Sequence, residues 1–201
     1  QTGGLIAQGV AEQTIDATGK AVLPGFINSH THCIHNLLRG GLSQDRNLYD
    51  WLLNVLYAGL AQYSGEDAHV AAKLYCLEAI RGGITTSVDN ADFGRIDELA
   101  EHTIETYQAL GVRAVYARMF YDHDPKSDSA LMEALERKEP TVKHAPNFIE
   151  TTDDALAGIS RLMRKYHRSA GGRISVWPSP GIPMFLTPDG LLRAKRLAEE
   201  N

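Results

Sequence analysis

Two histidines one residue apart, His30 and His32, close the run LPGFINSHTH at Leu23 to His32. Pro24 and Gly25 break the chain ahead of it, and the apolar pair Phe26 and Ile27 leads into it as a short buried strand. On an extended strand residues i and i+2 share a face, so the two imidazoles project side by side. Neutral imidazole nitrogens suit Zn2+ or Fe2+, and two of them leave positions for further ligands and for water. This is half of a metal site, and the strand that carries it must be held in place by others.

Chemistry-bearing residues recur after later apolar runs. His35 follows the histidine pair by three residues; it could meet the edge of a ring-shaped substrate or sit as a surface histidine on the loop. Asp89 and Asn90 end a second run and could bond a polar substrate, support a metal-bound histidine, or serve as strand-end turn residues. Arg118 ends a third run, with Tyr121 and Asp122 behind it; its guanidinium could bind a substrate carboxylate or carbonyl, or pair with an acid to hold the loop. Ser179 and the turn Pro180-Gly181 end a fourth. Trp51 and Trp177 could wall an aromatic pocket, with core packing the preferred reading; Cys33 is read as a small packed residue rather than a nucleophile, and the remaining histidines as surface residues.

The elements that position these groups alternate. Strands are expected at Phe26 to His32, Ile84 to Val88, Val112 to Phe120 and Ile174 to Trp177. Helices are expected from about Leu48 to Leu60, and from Ser64, which with Asp67 makes a capping-box pair ahead of a buried stripe of Val70, Leu74 and Leu77. Ile96, Leu99, Thr103 and Leu110 mark a further helix, and Lys126 to Lys138 another. Thr152 can cap one that carries Leu156, Ile159, Met163 and Tyr166, and Thr187 with Pro188 opens the last. Strand–helix alternation predicts a parallel sheet.

The phrase PGFINSHTH resembles the first barrel strand of the amidohydrolase superfamily, the metal-dependent hydrolases and deaminases built on a (β/α)8 TIM barrel. The likeness continues through LLRGG at Leu37 to Gly41, DWL at Asp50 to Leu52, GGITTSVDN at Gly82 to Asn90, GVRAVYAR at Gly111 to Arg118 and PSPGIP at Pro178 to Pro183. Their order and spacing are similar to those of the branch that deaminates or dechlorinates N-heterocycles. The resemblance implies one divalent ion, Zn2+ with Fe2+ as the other candidate, on His30 and His32. It also implies substrate contacts from His35, Asn90 and Arg118, a small heterocyclic substrate, and a homo-oligomer. Further ligands and the proton-handling Glu and His are expected on strands five, six and eight, after Asn201. Relatives of the deaminase type often carry Gln or Glu where this chain has His35, which argues for a different ring-edge partner.

About 250 residues make a complete barrel. The 201 residues are therefore read as α/β, with about four βα units at 25–201 and the edge of a small β-sandwich at 1–24. A half barrel leaves edge strands unpaired and one sheet face bare, so this stretch is not expected to fold stably by itself. Hydrophobic residues are 43%, charged residues 22%, and the net charge is −5, which argues against nucleic acid or an anionic membrane as partner. Two cysteines make no disulfide framework, and the cytoplasm is the expected compartment.

Three functions fit. The first is metal-dependent hydrolysis of an exocyclic C–N bond of an aminated N-heterocycle. The second is C–Cl or cyclic-amide hydrolysis by the same apparatus. The third is a catalytically incomplete fragment. The absence of Lys from Arg173 to Ser179 ranks the two-metal, carboxylated-lysine hydrolases lower.

Overall fold

A computed structural model of the chain describes residues 13–40, 48–92, 97–124 and 149–201. Four strands, β1 (Phe26–Thr31), β2 (Ile84–Ala91), β3 (Arg113–Phe120) and β4 (Ile174–Pro180), form one sheet in the order β1-β2-β3-β4. All three pairings are parallel. Sequential order with helical connections is the arrangement that repeats around a β/α barrel.

Helices fill the connections. A 3-10 turn at Cys33–Leu38 follows β1. The helix α1, over 48–60, is α at Leu48–Trp51, widens to π at Leu52–Leu56 and returns to α at Tyr57–Leu60. Then come α2 (Gly65–Arg81), α3 (Asp97–Leu110), α4 (Thr152–Tyr166) and α5 (Pro188–Glu199). The caps follow the sequence signals. Ser64 and Asp67 form a reciprocal capping box, and Thr187 accepts from Gly190 N ahead of Pro188. The cap of α4 is Thr151 rather than Thr152: its hydroxyl accepts from Asp154 N. The helix expected at Lys126 to Lys138 lies outside the described residues, as does the first half of the sandwich expectation at 1–24; residues 13–24 are described and form no strand. Among the described residues no helix is long and apolar enough to cross a membrane.

The sheet has two unlike faces, set by the period of two. Ser87, Asp89 and Ala91 of β2, Ala114, Tyr116, Arg118 and Phe120 of β3, and Ile174 and Val176 of β4 are buried. The apolar ones join Tyr107, Ile104, Ile159 and Leu162 of the helices in the main core. The other face carries Val88 and Asn90, aligned through the register with Val115 and Ala117 and then Ser175 and Trp177. Trp177 is half exposed there, which corrects its reading as a packing residue.

Two expectations of burial fail. Leu77 is 56% exposed and Val70 is exposed too, while α2 packs through Ala68, Ala71, Ala72, Tyr75, Cys76 and Ala79. Both stripes have helical spacing, and periodicity alone does not rank them. The small residues let the helix approach closely, and Tyr75 OH reaches Ser87 Oγ at 2.6 Å to fix its rotation. Likewise β1 is an edge strand rather than a buried one: Ile27 is 70% exposed, because among the described residues only β2 lies beside it. A second core of Ile34, Leu56, Tyr57, Leu60, Leu99, Tyr121 and Phe185 sits where the chain leaves β1 and β3.

Candidate metal centre

His30 and His32 do stand side by side, their rings 4.9 Å apart and nearly perpendicular. Two imidazoles on one tetrahedral ion have centroids about 5 Å apart, so this spacing fits shared ligation. Asn90, on the open face at the end of β2, serves both. Its carbonyl oxygen lies 2.6 Å from His32 Nδ1, and its amide Nδ2 donates to His30 Nδ1 across 2.8 Å. An acceptor at Nδ1 of His32 puts the ring proton there and leaves the Nε2 lone pair for a metal. A half-turn of the Asn90 amide presents its oxygen to His30 Nδ1 and gives that ring the same tautomer.

The strand-end position of the pair is pinned from the helix face. Asp89, 1% exposed, accepts from Cys33 N at 2.9 Å and from Tyr107 OH at 2.8 Å. Burial raises its carboxyl above the ordinary range despite those donors. Cys33 is fully buried, and burial pushes its thiol well up, consistent with packing and not nucleophilic attack. Asn36 donates to Cys33 O at 2.8 Å, and Arg39, bonded to Asn36, reaches both oxygens of Glu78 on α2 at 2.6 Å.

A residue that the sequence reading passed over stands at the centre. Asp92, 5% exposed, places Oδ2 2.8 Å from His32 Nδ1 and 2.8 Å from His35 Nε2. His32, His35 and Asp92 together are a group that could hold a metal ion. Burial opposes ionisation of Asp92, but the two histidines outweigh it and hold its pKa below the ordinary carboxylate value. Burial likewise opposes charge on His32, and Asp92 with the Asn90 carbonyl raises its pKa nonetheless. Trp51 packs edge-on to His35, with ring centroids 6.0 Å apart. Deeper in, Tyr57 OH lies 3.3 Å from Tyr121 OH, and burial with the Asp92 charge pushes the Tyr57 phenol up to about 12. Asp92 follows the end of β2 in a turn, its N–H donating to Asn90 O at 3.1 Å, and no spacing rule in the sequence singles it out.

Arg118 is not part of this group. Parity turns it to the helix face, where Nη1 and Nη2 donate to the two Glu150 carboxylate oxygens at 2.7 Å each. Of the two readings of Arg118, pairing with an acid is the one this geometry describes. Glu150, 32 positions along the chain, was not foreseen from the sequence.

The family model for the amidohydrolase family matches residues 21–201. The chain belongs to the amidohydrolase family. Among curated proteins it is 34% identical to a 5-methylthioadenosine/S-adenosylhomocysteine deaminase of Carboxydothermus hydrogenoformans, over 91% of this chain and 36% of that one. It is 30% identical to the enzyme of the same description from Desulforamulus reducens, over 94% and 36%. Among solved structures, a triazine hydrolase from Arthrobacter aurescens aligns at TM-score 0.70 and 25% identity, over 89% of this chain and 38% of that one. An adenosine deaminase from Xanthomonas campestris with bound zinc aligns at TM-score 0.66 and 22% identity, over 88% and 34%. These likenesses bear out the family resemblance and the barrel fold class. The chain spans little more than a third of the length of the curated relatives it matches.

Proposed function

We propose that this chain forms part of the active site of a metal-dependent hydrolase that removes an exocyclic amine from an N-heterocycle. The observation that carries this reading is the His30–His32 pair, with both Nδ1 edges turned to Asn90. In that arrangement His30 and His32 hold one divalent ion, zinc by preference, through Nε2. The chemistry such an ion supplies is activation of water for attack at neutral pH. Asn90 orients the two rings rather than touching substrate. The exposed side of the pair faces the bare side of the sheet, where Trp177 offers an aromatic surface to a planar ring. Relatives at 30% identity or more are named as deaminases, which supports C–N over C–Cl cleavage.

The test is metal content by plasma mass spectrometry on the protein at its full natural length, beside a His30→Ala/His32→Ala variant. About one equivalent of zinc or iron in the parent and none in the variant is expected, with ammonia release from an aminated purine, pyrimidine or triazine in the parent only. Metal retained by the variant would overturn the assignment of the pair.

A further inference from the structure

One carboxylate oxygen at the site serves two imidazoles. Asp92 Oδ2 is 2.8 Å from His32 Nδ1 and 2.8 Å from His35 Nε2. The two rings lie stacked, 4.7 Å between centroids and 6° from parallel. Trp51 abuts His35 edge-on. Two ligands of one tetrahedral zinc ion stand about 3.4 Å apart, since each is about 2.1 Å from the metal. Contacts of 2.8 Å are hydrogen-bond separations instead. The carboxylate thus accepts from both rings and is not arranged as a third ligand beside them.

His32 Nδ1 faces two acceptors at once, Asn90 O at 2.6 Å and Asp92 Oδ2 at 2.8 Å. Two acceptors converging on one nitrogen fix both the tautomer and the plane of the ring. The carbonyl is set by the strand, but the carboxylate has its own rotamers and needs an anchor. His35 Nε2 is that anchor, and His35 is itself held by the stack on His32 and by Trp51.

We propose that Asp92 is a positioning residue for the metal pair: it holds the His32 ring with Nε2 aimed outward, and His35 serves as its strut. This rests on the assignment of His30 and His32 as metal ligands. His35 then spends its Nε2 edge inside the protein instead of on the substrate. A carboxylate behind a ligating imidazole raises the basicity of the ligand, and losing such a partner costs 10–100-fold in metal affinity.

The experiment is a zinc titration against a chromophoric chelator on the full-length protein. It compares the parent with Asp92→Asn, His35→Phe and His30→Ala/His32→Ala, with melting of each metal-free form and visible spectra of each cobalt-loaded form. Asp92→Asn is expected to bind the same single equivalent, 10–100-fold more weakly, with a shifted cobalt spectrum, from a metal-free form that still melts cooperatively. His35→Phe keeps the stacked ring and drops the anchor, so it should lose affinity in the same direction by a smaller factor. That variant carries the test if Asp92→Asn does not fold. Unchanged affinity in folded Asp92→Asn would overturn the positioning role, and complete loss of stoichiometry would make Asp92 a ligand instead. Metal kept by His30→Ala/His32→Ala, or absent from the parent, would overturn the ligand assignment beneath it.

Discussion

Replacing Arg118 by Met asks whether this guanidinium serves the fold or the substrate. Arg118 is 1% exposed and its partner Glu150 11% exposed, so neither charge has much water to fall back on. The helix above leaves no slack: a Cβ added at Gly158 of α4 would stand 3.1 Å from Arg118 Nη2. Removing the cation leaves a buried carboxylate uncompensated, which costs about 3–5 kcal/mol. Removing both charges is different in kind, because a buried pair replaced by neutral groups of similar size is often tolerated. Arg118→Met/Glu150→Gln should therefore lose far less than the sum of the single variants, with a coupling of about 2–3 kcal/mol within the range for contacting residues. Urea unfolding of the four proteins at neutral pH measures each corner of the cycle. Arg118→Lys keeps the charge but not the two-pronged geometry, and should fall between parent and Met variant. An additive cycle with Arg118→Met less than about 1 kcal/mol below the parent would refute the reasoning, and a raised KM alongside it would return Arg118 to the substrate.

Two further outcomes follow from the same geometry. Tyr107→Phe removes the hydroxyl that donates to Asp89 at 2.8 Å; an orphaned buried acceptor costs about 1–3 kcal/mol, readable as a lower urea midpoint at neutral pH. Asp122 receives Thr152 Oγ1 at 2.6 Å and Thr187 N and Oγ1 at 2.7 Å each. Burial works against its ionisation, but these donors prevail and its folded pKa lies below the ordinary value. A depressed carboxyl stabilises the fold above its unfolded pKa of about 3.9 and loses that contribution as pH falls through the folded value. Asp122→Asn should flatten acid unfolding in that window; acid limbs that stay parallel in the two proteins would rule the clamp out.

The sequence by itself determined the alternation of strands and helices, the caps at Ser64 and Thr187, and the adjacency of His30 and His32. These are local matters. A cap depends on residues three apart, and a shared face on residues two apart, so the chain carries its own answer. The order and spacing of the motifs also resembled a known family closely enough to imply the barrel class.

The tertiary structure decided which faces those elements turn inward. Helix α2 offered two stripes, and the close approach of small residues with Tyr75 on Ser87 selected one. Strand β2 continues through Ala91, three residues beyond the expected end, so Asp89 turns to the helices while Asn90 turns to the histidines. The same parity on β3 carries Arg118 away from the open face to Glu150, a partner 32 positions on. Asp92 and His35 meet across 57 positions of chain, and their contact exists only because β1 and β2 lie side by side. Side-chain type and spacing name the groups able to bind a metal. Which of them converge is set by strand register and helix packing, and these rest on contacts distant in sequence.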